Sequence, residues 1–166
     1  MDQNQHDIQS DSAGIQEMLS GSGYSNKAID YFIRKPHLGS LPDANHVSEM
    51  TGTCGDTMKI FLKVDQGKIA DAKYQVLGCP GAVTAAMAAV DLIKGKSLEY
   101  ACSINDSDVF KLLEEIPTKK HHCIQLAVKT LQNAINEYQG GRDGTGRMEG
   151  TCTGCAPQDC CKEDLF

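Results

Sequence analysis

Cysteine, histidine and aspartate gather at three places in this chain where their chemistry could converge on one metal. These are Cys54-Gly55-Asp56, Gly78-Cys79-Pro80 and Lys119-Lys120-His121-His122-Cys123. Cys54, Cys79, Cys123 and one of the two histidines make a three-sulfur, one-nitrogen set suited to zinc or iron. Asp56 adds an oxygen donor two residues from Cys54, and residues i and i+2 of an extended chain share a face. Pro80 suits the first position of a helix, so Cys79 lies at a helix N-terminus. Cys123 falls in the first turn of a second helix. Both positions receive the positive end of a helix dipole, which favours thiolate, and Lys119 and Lys120 add positive charge. A set with more donors than coordination positions suits a site that exchanges its cargo, whereas a structural zinc site is closed. Duller readings stand beside this one. A single buried cysteine is usually a small core hydrophobe, and Cys102 is read so. His121 reads as a solvated neighbour, and Asp56 alone could simply end a strand.

The elements that position these groups are legible from periodicity. In 57–64, Met58, Ile60, Leu62 and Val64 alternate with Thr57, Lys59 and Lys63, and only Phe61 breaks the pattern. That is the period of a half-buried strand. In 69–77 the alternation is less clean, with Ala70, Ala72, Tyr74 and Val76 assigned to one face. Asp65-Gln66-Gly67-Lys68 between the runs signals a hairpin. If the turn is symmetric, Val64 pairs with Ile69 and Cys54 lands opposite Cys79, at the spacing of two ligands on one metal or of a disulfide. The redox compartment decides between those two outcomes.

Around the hairpin the chain reads as follows. Residues 1 to 22 are polar and read as disordered, apart from one weak helical turn at Ile15, Met18 and Leu19. Ser25 caps a helix carrying Ala28, Ile29, Phe32 and Ile33, which Pro36 stops. His46 to Met50 is a candidate first strand. A buried helix follows Pro80, a short helical turn spans 97–101, and another helix is capped at Asp106 or Ser107. The last long helix, from about Lys120 to Tyr138, carries Ile124, Ala127, Val128, Leu131, Ala134 and Ile135 at helical spacing. Strands followed by helices predict an α+β domain over residues 23–139, with helices packed mainly on one face of a small antiparallel sheet. Residues 140–166 read as a flexible, Gly-rich, cysteine-rich tail.

The chain has 166 residues and a formal net charge of −6. That balance argues against nucleic-acid and anionic-membrane partners. No apolar run has the length of a membrane span, and the polar N-terminus does not look like a signal peptide. A cytoplasmic location is expected. In a reducing compartment the eight cysteines point to metal or redox chemistry rather than to a disulfide framework.

Cys54-Gly55-Asp56, Gly78-Cys79 and His122-Cys123 resemble the three signature blocks of the IscU/NifU iron–sulfur cluster assembly scaffolds. The likeness extends over about Tyr24 to Tyr138. Tyr24 to Tyr31 is similar to the family's first helix, and Lys94-Gly95-Lys96-Ser97-Leu98 to its connector after the central helix. The resemblance implies an α+β, SufE/NifU-like fold with a three-stranded antiparallel sheet. It implies that Cys54, Cys79 and Cys123 hold a transient [2Fe–2S] cluster, with Asp56 and His122 as the non-thiolate participants and Asp56 tied to cluster release. Zinc can occupy the same site in such proteins. The implied function is assembly of a labile cluster and its transfer to apo iron–sulfur proteins, without enzymatic turnover. Sulfur would come from a cysteine desulfurase, with Cys123 as its acceptor. This chain also departs from the family. Pro80-Gly81-Ala82 follows the middle cysteine, and the loop near Pro36 is about one residue short. Ile116-Pro117-Thr118-Lys119-Lys120 replaces the Leu-Pro-Pro-Val-Lys segment, which puts recognition by Hsp70/J-type chaperones in question.

The tail lies outside the resemblance. Cys152-Thr153-Gly154-Cys155 and Cys160-Cys161 suit a second metal site, a redox pair or a thiol arm serving the main site, or are incidental thiols. Two rival functions follow. One is a SufE-like sulfur acceptor, which needs a single persulfide cysteine. The other is a zinc-binding or redox protein acting through the tail.

Overall fold

The computed structural model describes residues 6–140. In chain order the elements are α1 (His6–Gly21), α2 (Asn26–Arg34), β1 (His46–Thr51), β2 (Thr57–Asp65), β3 (Lys68–Leu77), α3 (Pro80–Ile93), α4 (Leu98–Ser103), α5 (Asp106–Leu113) and α6 (His121–Gln139), with a 3-10 turn at Thr118–Lys120 before α6. The three strands form one antiparallel sheet in the order β1-β2-β3. The expected α+β class and sheet are therefore present. Among the described residues no helix is long and apolar enough to cross a membrane.

The hairpin turn works as its residues dictate. Gln66 and Gly67 have φ of 50° and 75°, the left-handed pair of a two-residue type I′ turn. Asp65 pairs with Lys68 and Val64 with Ile69, as symmetry predicts. One step further the register slips, because Lys63 pairs with Asp71. Ala70 is the extra residue of a β-bulge. The slip moves Ala70 to the exposed side and puts Ile69, Ala72 and Tyr74 together in the core. It also corrects the expected face of β3 and the expected pairing of Cys54 with Cys79. Pairing ends at Thr57 with Leu77, and Cys54 lies in the loop between β1 and β2.

Met58, Ile60 and Leu62 of β2 are fully buried beneath α3 and α6, which pack on the same face of the sheet. The small side chains of α3 let it sit close, and every residue from Gly81 to Val90 is buried. Tyr74 is buried whole, and its hydroxyl donates to the Ala127 carbonyl of α6 at 2.8 Å, so its polar atom is satisfied. Polar pins fix α6 along β1. Asn133 Nδ2 donates to Ser48 Oγ at 3.0 Å, and His46 Nε2 pairs with Glu137 Oε2 at 2.9 Å. These contacts set the first turn of α6 beside the end of the sheet where β1 stops and β2 begins.

Ser25 caps α2, accepting from the Ala28 amide at 3.0 Å. The cap of α5 is Asn105 in a reciprocal capping box with Asp108, one residue before the expected Asp106. A larger difference lies at the N-terminus. The stretch expected to be disordered forms α1 over His6–Gly21, and Leu19 is buried in the core. A helix with so few apolar residues draws its stability from packing rather than from its own periodicity. Here α1 packs on α2.

Candidate metal centre

The donors meet at one end of the sheet. Cys54 and Asp56 come from the β1–β2 loop, Cys79 from the junction of β3 and α3, and His122 and Cys123 from the first turn of α6. The loop is held shut by two backbone bonds. Gly52 N–H donates to the Asp56 carbonyl at 2.8 Å, and Gly55 N–H to the Gly52 carbonyl at 3.0 Å. Gly55 has φ of 86° with open space around it, so it serves the backbone conformation of the turn.

Asp56, Cys79 and Cys123 form the inner group. The two sulfurs are 3.5 Å apart, and Asp56 Oδ2 lies 3.4 Å from Cys79 Sγ and 3.8 Å from Cys123 Sγ. Two thiolates on a tetrahedral ion at about 2.3 Å each stand about 3.8 Å apart, and a carboxylate oxygen and a thiolate about 3.6 Å. The donors therefore already stand at nearly the separations one ion requires. The sulfurs are too far apart for a disulfide, and both are free thiols. Cys54, Asp56 and His122 form an outer group whose donor atoms lie within 4.8 Å of one another. Asp56 belongs to both groups. His122 Nε2 is also 3.5 Å from Cys123 Sγ, which ties the outer group to the inner one.

Exposure grades across the centre. Cys54 is exposed, Cys79 half-buried and Cys123 buried. Cys123, read as the sulfur acceptor, is thus the least accessible of the three thiols. A groove lined by Met50, Thr53, Cys54, His122, Leu126 and Lys129, among others, opens on the Cys54 side.

The electrostatics separate the two inner thiols. Cys79 is brought down to about 6, first by the hydrogen bond it accepts from Cys123, against the opposing effect of burial. The Ala82 backbone N–H at the start of α3 helps, and so does the charge of Lys120. Cys123 is pushed up, because it donates to Cys79 and is buried beside negative charge. The pair without metal is one thiolate and one thiol sharing a proton, so its first apparent pKa belongs to both. Binding a cation withdraws the remaining proton.

Two further side chains lean over this centre. A methyl on Gly81 would come within 3.2 Å of the Tyr24 hydroxyl and 3.1 Å of Lys120 Cβ. Burial raises the Tyr24 phenol to about 12, with Cys79 and Cys123 adding to it. The Lys120 ammonium is held in its charged form chiefly by Cys79. Lys120 was visible in the sequence as nearby positive charge. Tyr24 carried no such signal, because its place at the site depends on how α2 packs against α3. Cys102 is buried in α4 and belongs to neither donor group. His121 stacks edge-on against Phe110, with ring centroids 5.1 Å apart, and belongs to neither group. Cys152, Cys155, Cys160 and Cys161 lie outside the described residues.

Known proteins share this architecture. Residues 23–144 match the family model for the NifU-like N-terminal domain. The chain is 38% identical over 125 residues to the iron-sulfur cluster assembly scaffold protein IscU of Escherichia coli (strain K12), spanning 72% of this chain and 97% of that one. It is 36% identical over 116 residues to the iron-sulfur cluster assembly scaffold protein IscU 1 of Archaeoglobus fulgidus, spanning 69% and 76%. Among solved structures, a putative iron-sulfur cluster assembly scaffold protein for the SUF system from Fervidobacterium islandicum AW-1 superposes with a TM-score of 0.56 at 22% identity, over 68% of this chain and 96% of that one. That similarity speaks to the fold. The family match, the relatives and the converging cysteines together establish that the chain belongs to the NifU-like N-terminal domain family.

Proposed function

We propose that this protein is a scaffold on which a labile [2Fe–2S] cluster is assembled and from which it is passed to apo iron–sulfur proteins. The observation that carries the reading is the convergence of three thiols, one carboxylate and one imidazole at a single end of the sheet. Two overlapping donor groups sharing Asp56 suit two adjacent metal positions. Thiolates suit iron, while a carboxylate is a harder and more readily exchanged donor. The same donors suit zinc, which we take as a second occupant of the site.

The cluster is cargo, built from iron and from sulfur supplied by a cysteine desulfurase. In the sulfur step a scaffold thiolate attacks the outer sulfur of the desulfurase persulfide, and the desulfurase cysteine leaves as thiolate. Cys123 is the proposed acceptor. Metal binding first strips its proton, which the free pair retains. Conversion of the transferred sulfur to sulfide takes two electrons from an external donor. Partners are therefore a cysteine desulfurase and apo iron–sulfur proteins. Ile116-Pro117 leads into the 3-10 turn of Thr118–Lys120, so an Hsp70-type chaperone would meet a different surface there from Leu-Pro-Pro-Val-Lys.

The test is anaerobic reconstitution of the purified full chain with ferrous iron, cysteine, a reductant and a cysteine desulfurase. A visible [2Fe–2S] spectrum followed by transfer to an apo-ferredoxin supports the proposal. Tight zinc retention with no cluster formed under any of these conditions overturns it in favour of a zinc protein.

A further inference from the structure

The geometry points to Gly78 as the residue that seats the Asp56 carboxylate over the thiol pair, a positioning role that deepens the scaffold reading and rests on it. A methyl group built on Gly78 would lie 2.7 Å from Asp56 Cγ, 2.8 Å from Oδ1 and 2.9 Å from Cβ. These separations are closer than real Cβ contacts allow, so the carboxylate packs directly on the bare α-carbon. Gly78 is not among the residues of positive φ. Its backbone conformation is open to alanine, and Asp56 is what stands in the way. Gly55 presents the opposite case, with φ of 86° and nothing within 4 Å. The two glycines beside the cysteines are therefore there for different reasons, one for the turn and one for the carboxylate.

The consequence runs through Asp56. Its carboxylate is the donor common to the inner and outer groups, and its Oδ2 holds the 3.4 and 3.8 Å contacts to the two sulfurs. Because Asp56 Cβ is itself within 3 Å of the added methyl, rotation of the carboxylate alone does not relieve the clash. Backbone must move, either in the β1–β2 loop or at Gly78 beside Cys79, and either shift changes the spacing of the Asp56 oxygen from the two sulfurs. Groups that hold a metal ligand in position typically contribute a factor of about 10–100 in affinity or activity. The expected effect of Gly78→Ala is therefore about tenfold at the low end of that range.

The experiment compares Gly78→Ala in two backgrounds, the natural chain and Asp56→Gly, which removes all three clashing atoms. The first readout is cobalt(II) titration of the metal-free protein, followed by its thiolate charge-transfer and d–d bands. Gly78→Ala should weaken cobalt binding about tenfold and shift the d–d bands in the natural background, and do neither in Asp56→Gly. The second readout is the rate of cluster transfer to apo-ferredoxin, which should slow by a similar factor in the first background alone. An equal change in both backgrounds, or none in either, overturns the assignment. If the natural protein forms no cluster, the scaffold reading fails, while the cobalt titration still decides the role of Gly78. If Gly78→Ala does not fold, the double variant should fold again, and its failure to do so also overturns the assignment.

Discussion

Alkylation of the metal-free protein by iodoacetamide should single out Cys79 at acidic pH and lose that preference at alkaline pH. The thiol is brought to about 6 by the hydrogen bond from Cys123, the amide at the start of α3 and Lys120. The reference is the same cysteine in the urea-unfolded chain, near 8.5. At pH 5.5 the folded thiol is about 24% thiolate and the unfolded one about 0.1%, a ratio of about 240. A less basic thiolate is also a weaker nucleophile, and a Brønsted coefficient of about 0.45 reduces the gain about 13-fold. The net preference at pH 5.5 is about twentyfold, before a constant factor for half-burial that does not depend on pH. At pH 8.5 the folded thiol has only about a twofold advantage in thiolate, so its lower nucleophilicity makes it the slower of the two by about sixfold. The rate profile is read by mass spectrometry of the Cys79 peptide after timed quenching. It should titrate upward with a midpoint near 6, and Cys123→Ala should move that midpoint toward the ordinary range. A midpoint above 8 in the folded protein, or one unmoved by Cys123→Ala, would refute the account of how these two thiols share a proton.

Other expectations follow from the same contacts. Tyr74→Phe removes the hydroxyl that reaches the Ala127 carbonyl inside the core. It should lower the unfolding free energy by about 1 kcal/mol in urea titrations, and an unchanged midpoint would contradict the packing described. Free zinc at about 100 times its dissociation constant should stabilise the natural chain by about 2.7 kcal/mol in thermal melts. Cys123→Ser should lose most of that gain, because it removes one of the inner donors.

The parts of this fold that could be read from sequence are those set by local pattern. Met58, Ile60, Leu62 and Val64 announce β2 by their alternation, Gly67 announces its turn, and Pro80 announces the start of α3. The bulge at Ala70 is different. A strand with one extra residue has two alternations out of phase, and over a few residues that reads only as weak patterning. The bulge decides which residues oppose each other at the open end of the hairpin, so the expected Cys54–Cys79 pairing failed with it. Likewise α1 has too few apolar residues to declare itself, and Leu19 is buried by a neighbour the sequence does not display. At the site, residue type and spacing singled out side chains that the fold brings together as candidate donors. They gave no sign that Asp56 would stand between two donor groups, or that it would rest on Gly78. Those contacts depend on the closed β1–β2 loop and on the placement of α6 by Asn133 and Glu137.

The most direct measurement is cluster assembly by four variants of the full chain under one anaerobic reconstitution protocol. Three carry single changes, Cys54→Ser, Cys79→Ser and Cys123→Ser, and the fourth carries serine at Cys152, Cys155, Cys160 and Cys161 together. Iron and sulfide content and the visible spectrum are read for each. Each single variant should lose the [2Fe–2S] cluster, while the fourfold tail variant should assemble it as the natural chain does. Clusters in all three single variants, with none in the tail variant, would contradict it and move the functional centre to the tail.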